Sequence, residues 1–125
     1  MAGIRTTSAL SQRLDTGFWL EQAVFQTLQT WRSLDPSSRR IYYWRERSGR
    51  EVDFVLEQDG GLVALEIKAS RQVRPADWAG LAAFRAGLGK GKDFRCGAVL
   101  HAGEARPLGD RLYALPWNWF FPAGR

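Results

Sequence analysis

The sequence predicts an α/β domain built on a mixed central sheet with helices on both faces, in the order α-β-β-β-α-β-β. Three observations predict it. Apolar residues recur at helical spacing over 18–31 and again over 75–88. Between them, 51–57 and 62–69 alternate with the period of two that a strand requires, joined by Asp59-Gly60, a dipeptide suited to a tight hairpin turn. The second helix follows the third strand and leads into a further apolar run at 96–101, so its strands must be parallel where the hairpin's are antiparallel.

Each element has its own justification. Residues 1–13 carry no periodic pattern, and 1–16 is expected to form a loose arm or a short helix docking elsewhere. Phe18, Leu20, Val24, Phe25, Leu28 and Trp31 make the first helix amphipathic, with Asp15 or Thr16 available as its N-cap. Glu21 points with that apolar arc, and a carboxylate there needs a partner. The loop SLDPSSRR delivers the chain to a short aromatic strand at 41–46. A two-residue turn at Asp59-Gly60 then pairs Gln58 with Gly61, Leu56 with Val63, Phe54 with Leu65 and Val52 with Ile67, giving one wholly apolar face. Pro75 suits the first position of the second helix, Trp78, Leu81, Phe84 and Leu88 share one side of it, and Gly87, Gly89 and Gly91 end it. Strands at 96–101 and 111–115 complete a domain spanning 17–116, and an aromatic tail occupies 117–125.

Composition narrows the function. With 125 residues and 14.1 kDa the chain fits one domain. Hydrophobic residues at 45% and charged residues at 25% exclude a disordered tail, a collagen-like fibre and a coiled coil. No run approaches the roughly 18 apolar residues of a membrane span, and the first residues lack the apolar core of a signal peptide, so a soluble, cytoplasmic protein without a membrane partner is expected. A single cysteine, Cys96, excludes an internal disulfide and a multi-thiolate zinc site, and the one histidine, His101, argues against His-based catalysis. Chemistry is left to carboxylates, lysine and hydroxyls.

A formal charge of +5 and a pI near 10.0 favour a polyanionic partner. Arg39, Arg40, Arg45, Arg47 and Arg50 are interleaved with Tyr42, Tyr43 and Trp44, a mixture suited to phosphates and stacked bases. Arg71 and Arg74 add charge beyond the hairpin. The alternative for these arginines is a solvated strand and turn.

The hairpin register sets Asp53 opposite Glu66 and Glu51 opposite Lys68. Like charges at roughly 4.5 to 5.5 Å between Cβ atoms destabilise a sheet unless something neutralises them. A hard divalent cation does so economically: Mg²⁺ or Mn²⁺ takes oxygen ligands and binds through one or two carboxylates, leaving room for substrate phosphate. Lys68, two residues from Glu66 on the same face, would then orient or help deprotonate the attacking water of a phosphodiester hydrolysis. Glu21 reaches the same point if its helix packs there. The alternative is an exposed face on which Glu51 pairs with Lys68 and the other acids stay in water.

Glu21 on a first helix, Asp53 in EVDF and the Glu66-Ile67-Lys68 triplet resemble the PD-(D/E)XK nuclease signature. The longer run YYWRERSGREVDFVLEQDGGLVALEIKAS, followed by a Leu- and Phe-containing helix, is similar to the nuclease-like domain of unknown function at the C-terminal end of many bacterial and archaeal P-loop ATP-binding proteins. The resemblance implies a restriction-endonuclease-like three-layer core, with Asp53 and Glu66 as metal ligands, Lys68 as the catalytic lysine and Glu21 as the helix-borne acid. It also implies Mg²⁺ or Mn²⁺ as cofactor, nucleic acid, DNA above all, as substrate or ligand, and a P-loop ATPase module as partner in cis or trans. A catalytically silent interaction module on the same fold is the competing expectation.

The remaining features read more plainly. GLGKGKD lacks Walker A spacing and follows a helix, so it is a turn. His101 at a strand end reads as structural and Cys96 as a core thiol. Ser37 and Ser38 have no histidine nearby and receive no nucleophilic role. Trp117, Trp119, Phe120 and Phe121 are a large apolar load for a tail, which either forms an interface, such as a homodimer, or packs back on the domain.

Overall fold

The computed structural model describes residues 8–121, with side chains from residue 17. Helix α1 (Ser8–Ser33) precedes strands β1 (Arg39–Arg45), β2 (Glu51–Gln58) and β3 (Gly61–Ile67). A single 3-10 turn, Pro75–Trp78, opens into helix α2 (Ala79–Ala86), and strands β4 (Asp93–His101), β5 (Arg106–Gly109) and β6 (Leu112–Pro116) end in a second 3-10 turn, Trp117–Phe120. The six strands form one sheet in the order β1-β2-β3-β4-β6-β5. β3, β4 and β6 run parallel to one another, while β1–β2, β2–β3 and β5–β6 pair antiparallel, so the predicted mixed sheet and the crossover through α2 are both observed. No helix among the described residues is long and apolar enough to cross a membrane.

Three local expectations are corrected. α1 begins at Ser8, so Asp15 and Thr16 lie inside the helix and do not cap it. Ala9, Leu10, Gln12, Arg13 and Leu14 are good helix formers with no glycine between Ser8 and Gly17, which lets the helix run through the expected arm. Residues 1–7 of that arm and 122–125 of the tail lie outside the described residues. β5 is not among the strands the sequence predicts: its four residues include Pro107 and Gly109, and it is accommodated at a sheet edge, where a proline's missing N–H does no harm.

The third correction concerns the hairpin. Its turn is as expected, with Asp59 at φ 53° and Gly60 at φ 82°, the pair of positive angles that a type I′ turn needs. Its register matches from Gln58/Gly61 through Leu56/Val63 to Phe54/Leu65 and stops there. On the other side of β2, Tyr42 pairs with Val55 but Trp44 with Val52, so three residues of β2 span two of β1. This β-bulge at Asp53 and Phe54 reverses the alternation. Val52 joins the core under α2, whereas Phe54 lies under α1, so Val52 and Ile67 do not pair and the apolar face is interrupted.

The sheet has a core on each face. Under α1, Val24 and Leu28 pack with Phe54, Leu65, Ala98 and Leu100. Under α2, Leu81 and Phe84 pack with Val55, Leu62, Ala64, Phe94, Val99, Leu112 and Ala114. Val24, Leu28, Val52, Leu81 and Val99 are fully buried, each worth about 1.5–3 kcal/mol relative to exposure. α2 approaches β2 closely at Gly80, where any side chain would collide with the Glu51 carbonyl oxygen. That contact fixes α2 against the strand that carries Asp53.

Candidate active site

Where the β2–β3 ladder stops, the two acids take it over. The Asp53 N–H donates to Glu66 Oε1 at 3.1 Å, and the Ile67 N–H donates to Asp53 Oδ2 at 2.8 Å. β3 meanwhile stays on β4, with the Lys68 N–H donating to the Leu100 carbonyl at 2.9 Å. The strands therefore part between β2 and β3 alone, and each carboxylate crosses the gap to a backbone group of the other strand. Glu51 does not pair with Lys68. It accepts from Tyr43 Oη at 2.9 Å and from Arg45 at 3.1 Å, because the bulge turns the start of β2 toward β1. Lys68 Nζ instead lies 3.7 Å from Asp77 Oδ1, whose Oδ2 accepts the Arg74 N–H at 2.8 Å.

A cleft of about 510 Å³ opens here, lined by Gly17, Phe18 and Glu21 of α1, Glu51 and Asp53 of β2, and Glu66, Ile67, Lys68 and Ala69 at the end of β3. The four residues named from the sequence thus share one concavity. Burial, first, pushes the Asp53 carboxyl up to about 6, opposed by its hydrogen bond from Ile67 and reinforced by the charges of Glu21 and Glu51. Burial likewise pushes Glu66 up to about 8, with the Asp53 charge adding to it. Glu51, held by Tyr43 and Arg45, is lowered. The pair is short of positive charge.

The donor set suits a hard divalent ion bound mainly through solvent and substrate. Asp53 and Glu66 each spend one oxygen on a backbone N–H, which leaves Asp53 Oδ1 and Glu66 Oε2 without a hydrogen bond or ion pair among the described residues. No three His, Cys, Asp or Glu side chains among the described residues are gathered closely enough to hold an ion by themselves. Glu21 lines the same cleft as the pair without joining it in a three-donor cluster. Two carboxylates are the usual protein share of a Mg²⁺ site, whose remaining positions go to water and phosphate.

The arginines divide. β1 runs antiparallel to β2, so Arg45, Arg47 and Arg50 stand at the carboxylate end of the sheet, and Arg71 and Arg74 follow β3 at that same end. Arg39 and Arg40 begin β1, opposite Gln58 and Glu57, roughly 13 to 17 Å from Asp53 by the rise of a strand. Arg39 serves the fold: its guanidinium donates to the Trp31 carbonyl at 2.7 Å and lies over that indole, tying β1 to the end of α1.

His101 is buried, its ring nitrogens 3.2 Å from the Arg71 carbonyl and 3.0 Å from that of Glu104, so it ties two loops together. Burial raises the Cys96 thiol, which keeps it protonated and unreactive. Ser37 and Ser38 donate to Asp35. In the tail, Phe120 and Phe121 pack on the α1-side core while Trp119 stays exposed. Sequence reasoning missed Asp77, although an acid at the third position after the Arg74-Pro75 start is a capping signal.

A family model for a domain of unknown function, DUF4143, matches residues 16–120, a span holding Glu21, Asp53, Glu66 and Lys68. No curated protein matches the chain.

Proposed function

The chain belongs to the DUF4143 family of domains of unknown function, and from that premise we propose a metal-dependent phosphodiesterase acting on nucleic acid, built on a restriction-endonuclease-like core. One observation carries the reading: two half-buried carboxylates, locked to each other's backbone at a break in the sheet, share a cleft with a lysine and a third acid. Asp53 and Glu66 are the residues that would hold Mg²⁺ or Mn²⁺, which when bound supplies positive charge for the developing phosphoryl oxyanion.

The chain's own groups do the rest. Lys68, half-exposed at the cleft and held among the described residues by one long ion pair, to Asp77, can turn its ammonium toward an attacking water or a phosphoryl oxygen. Glu21 accepts a hydrogen bond from that water across the cleft. Arg45, Arg47, Arg50, Arg71 and Arg74 neutralise flanking phosphates at the same end of the sheet.

Plasmid nicking in Mn²⁺ tests the reading. The Asp53→Asn, Glu66→Gln and Lys68→Ala variants are expected to lose at least about 100-fold in rate, the scale of removing one electrostatic or proton-transfer group. Equal activity in all three would refute it. No response to Mn²⁺ in either activity or thermal stability would favour the silent module, docking a P-loop ATPase or a second copy.

A further inference from the structure

A second cleft of about 720 Å³ lies at the same end of the sheet, lined by Arg71, His101, Gly103, Glu104, Trp117, Asn118 and Trp119 among others. Its walls are the segments that follow β3, β4 and β6, three strands lying side by side and parallel, and β3 is the strand that carries Glu66 and leads into Lys68. Arg71 is three residues beyond Lys68, so the two clefts are at most about 10 Å apart along the chain.

The second cleft is rigidly built. The buried His101 ring is held on both sides, its Nδ1 accepting the Gly103 N–H at 3.3 Å and its Nε2 lying 3.0 Å from the Glu104 carbonyl, and Gly103 passes so near the Arg71 carbonyl that a side chain would not fit. The turn carrying the tryptophans is anchored by Phe121, which meets the Trp117 ring edge to face at 5.9 Å and packs on the α1-side core with Phe120. Nevertheless Trp117 and Trp119 are 36% and 66% exposed. Large indoles fixed by a rigid turn, yet left to solvent, offer flat π-faces. Arg71 also lines an adjoining cleft with Arg74 and Arg106, which puts positive charge next to the cleft that holds the indoles. Glu104 on the rim and Asn118 between the indoles supply acceptors for a base's N–H groups.

We propose that this cleft is a base-binding subsite that stacks an unpaired nucleobase on Trp117 or Trp119 and so directs the carboxylate site to single-stranded nucleic acid. The proposal rests on the phosphodiesterase reading for the role of the neighbouring site, though not for the binding itself. Stacking on exposed aromatics tolerates any base, and a duplex hides its base faces within its own stack.

Fluorescence anisotropy with a labelled oligothymidylate and a labelled duplex of equal length, both in EDTA, tests it on the full chain. Trp119→Ala and Trp117→Ala together are expected to weaken single-strand binding about 5- to 100-fold. Duplex binding, governed by phosphate contacts, stays within about 2-fold, and Trp119→Phe together with Trp117→Phe restores most of the single-strand affinity. Unchanged single-strand affinity in the double alanine variant, or an equal loss on duplex, overturns the proposal. Tryptophan-dependent binding without Mn²⁺-dependent cleavage would leave the subsite standing and remove the hydrolytic reading. Cleavage with tryptophan-independent binding would do the reverse.

Discussion

Replacing Glu66 by Gln should stabilise the metal-free protein at alkaline pH and leave it unchanged in acid. The neutral amide keeps the oxygen that accepts the Asp53 N–H and removes a charge that burial and Asp53 both oppose. The folded-state carboxyl, raised from 4.5 to about 8, keeps its proton where the unfolded chain has already released it. The unfolded state then binds fewer protons, so wild-type stability falls as pH rises from about 4.5 to about 8 and levels off above. The full shift would correspond to a ceiling of about 5 kcal/mol. Water reaches this side chain and Asp53 shares its proton, so about 2 kcal/mol is expected. For a chain of this size that is about 8 °C in Tm. Thermal unfolding in EDTA across that pH window should show the Glu66→Gln curve rising away from wild type by this amount. Adding Mn²⁺ at about 100 times its Kd at alkaline pH should return about 2.7 kcal/mol to wild type and little to the variant. Parallel curves for the two proteins, with no response to Mn²⁺, would refute the reasoning, since they would mean that Glu66 is ionised at no cost.

Gly80→Ala should destabilise the fold by about 1–3 kcal/mol, because the added methyl meets a backbone carbonyl that cannot turn aside; chemical denaturation measures it through a lower midpoint at unchanged slope. Asp53→Ala should be less stable than Asp53→Asn by about 1–2 kcal/mol in the same assay at acid pH, since only the amide still accepts the Ile67 N–H.

Much of this was legible in the sequence because the hairpin over-specifies itself. Asp59 and Gly60 admit one turn type, and that turn admits one register for Leu56/Val63 and Phe54/Leu65. The mixed sheet followed from the helix between β3 and β4. What escaped has physical causes. Six apolar residues of α1 were counted as one arc, yet Leu20, Val24 and Leu28 make the stripe that faces the sheet, while Phe18 is 54% exposed and Phe25 reaches its neighbour Phe54 only by stacking from the flank. Arg39 looked like its neighbours in a basic run, and only the return of β1 beside the end of α1 gives it Trp31 as a partner. Period-two counting cannot register an inserted residue, so it misses the bulge and puts Val52 on the face of Phe54 and not under α2.

That bulge is also what makes the acid pair tolerable. In an unbroken ladder the backbone N–H groups near Asp53 and Ile67 would be committed to strand partners, and two carboxylates side by side on one face would have only each other. Breaking the ladder frees two donors at the place where two acceptors need them, and each acid is held by the opposite strand at the expense of one oxygen. The free oxygens remain at the cleft that Lys68 and Glu21 also line. A regular hairpin would commit these donors to its own ladder, whereas this break leaves Asp53 Oδ1 and Glu66 Oε2 without a partner among the described residues, which is what the proposed cation site requires.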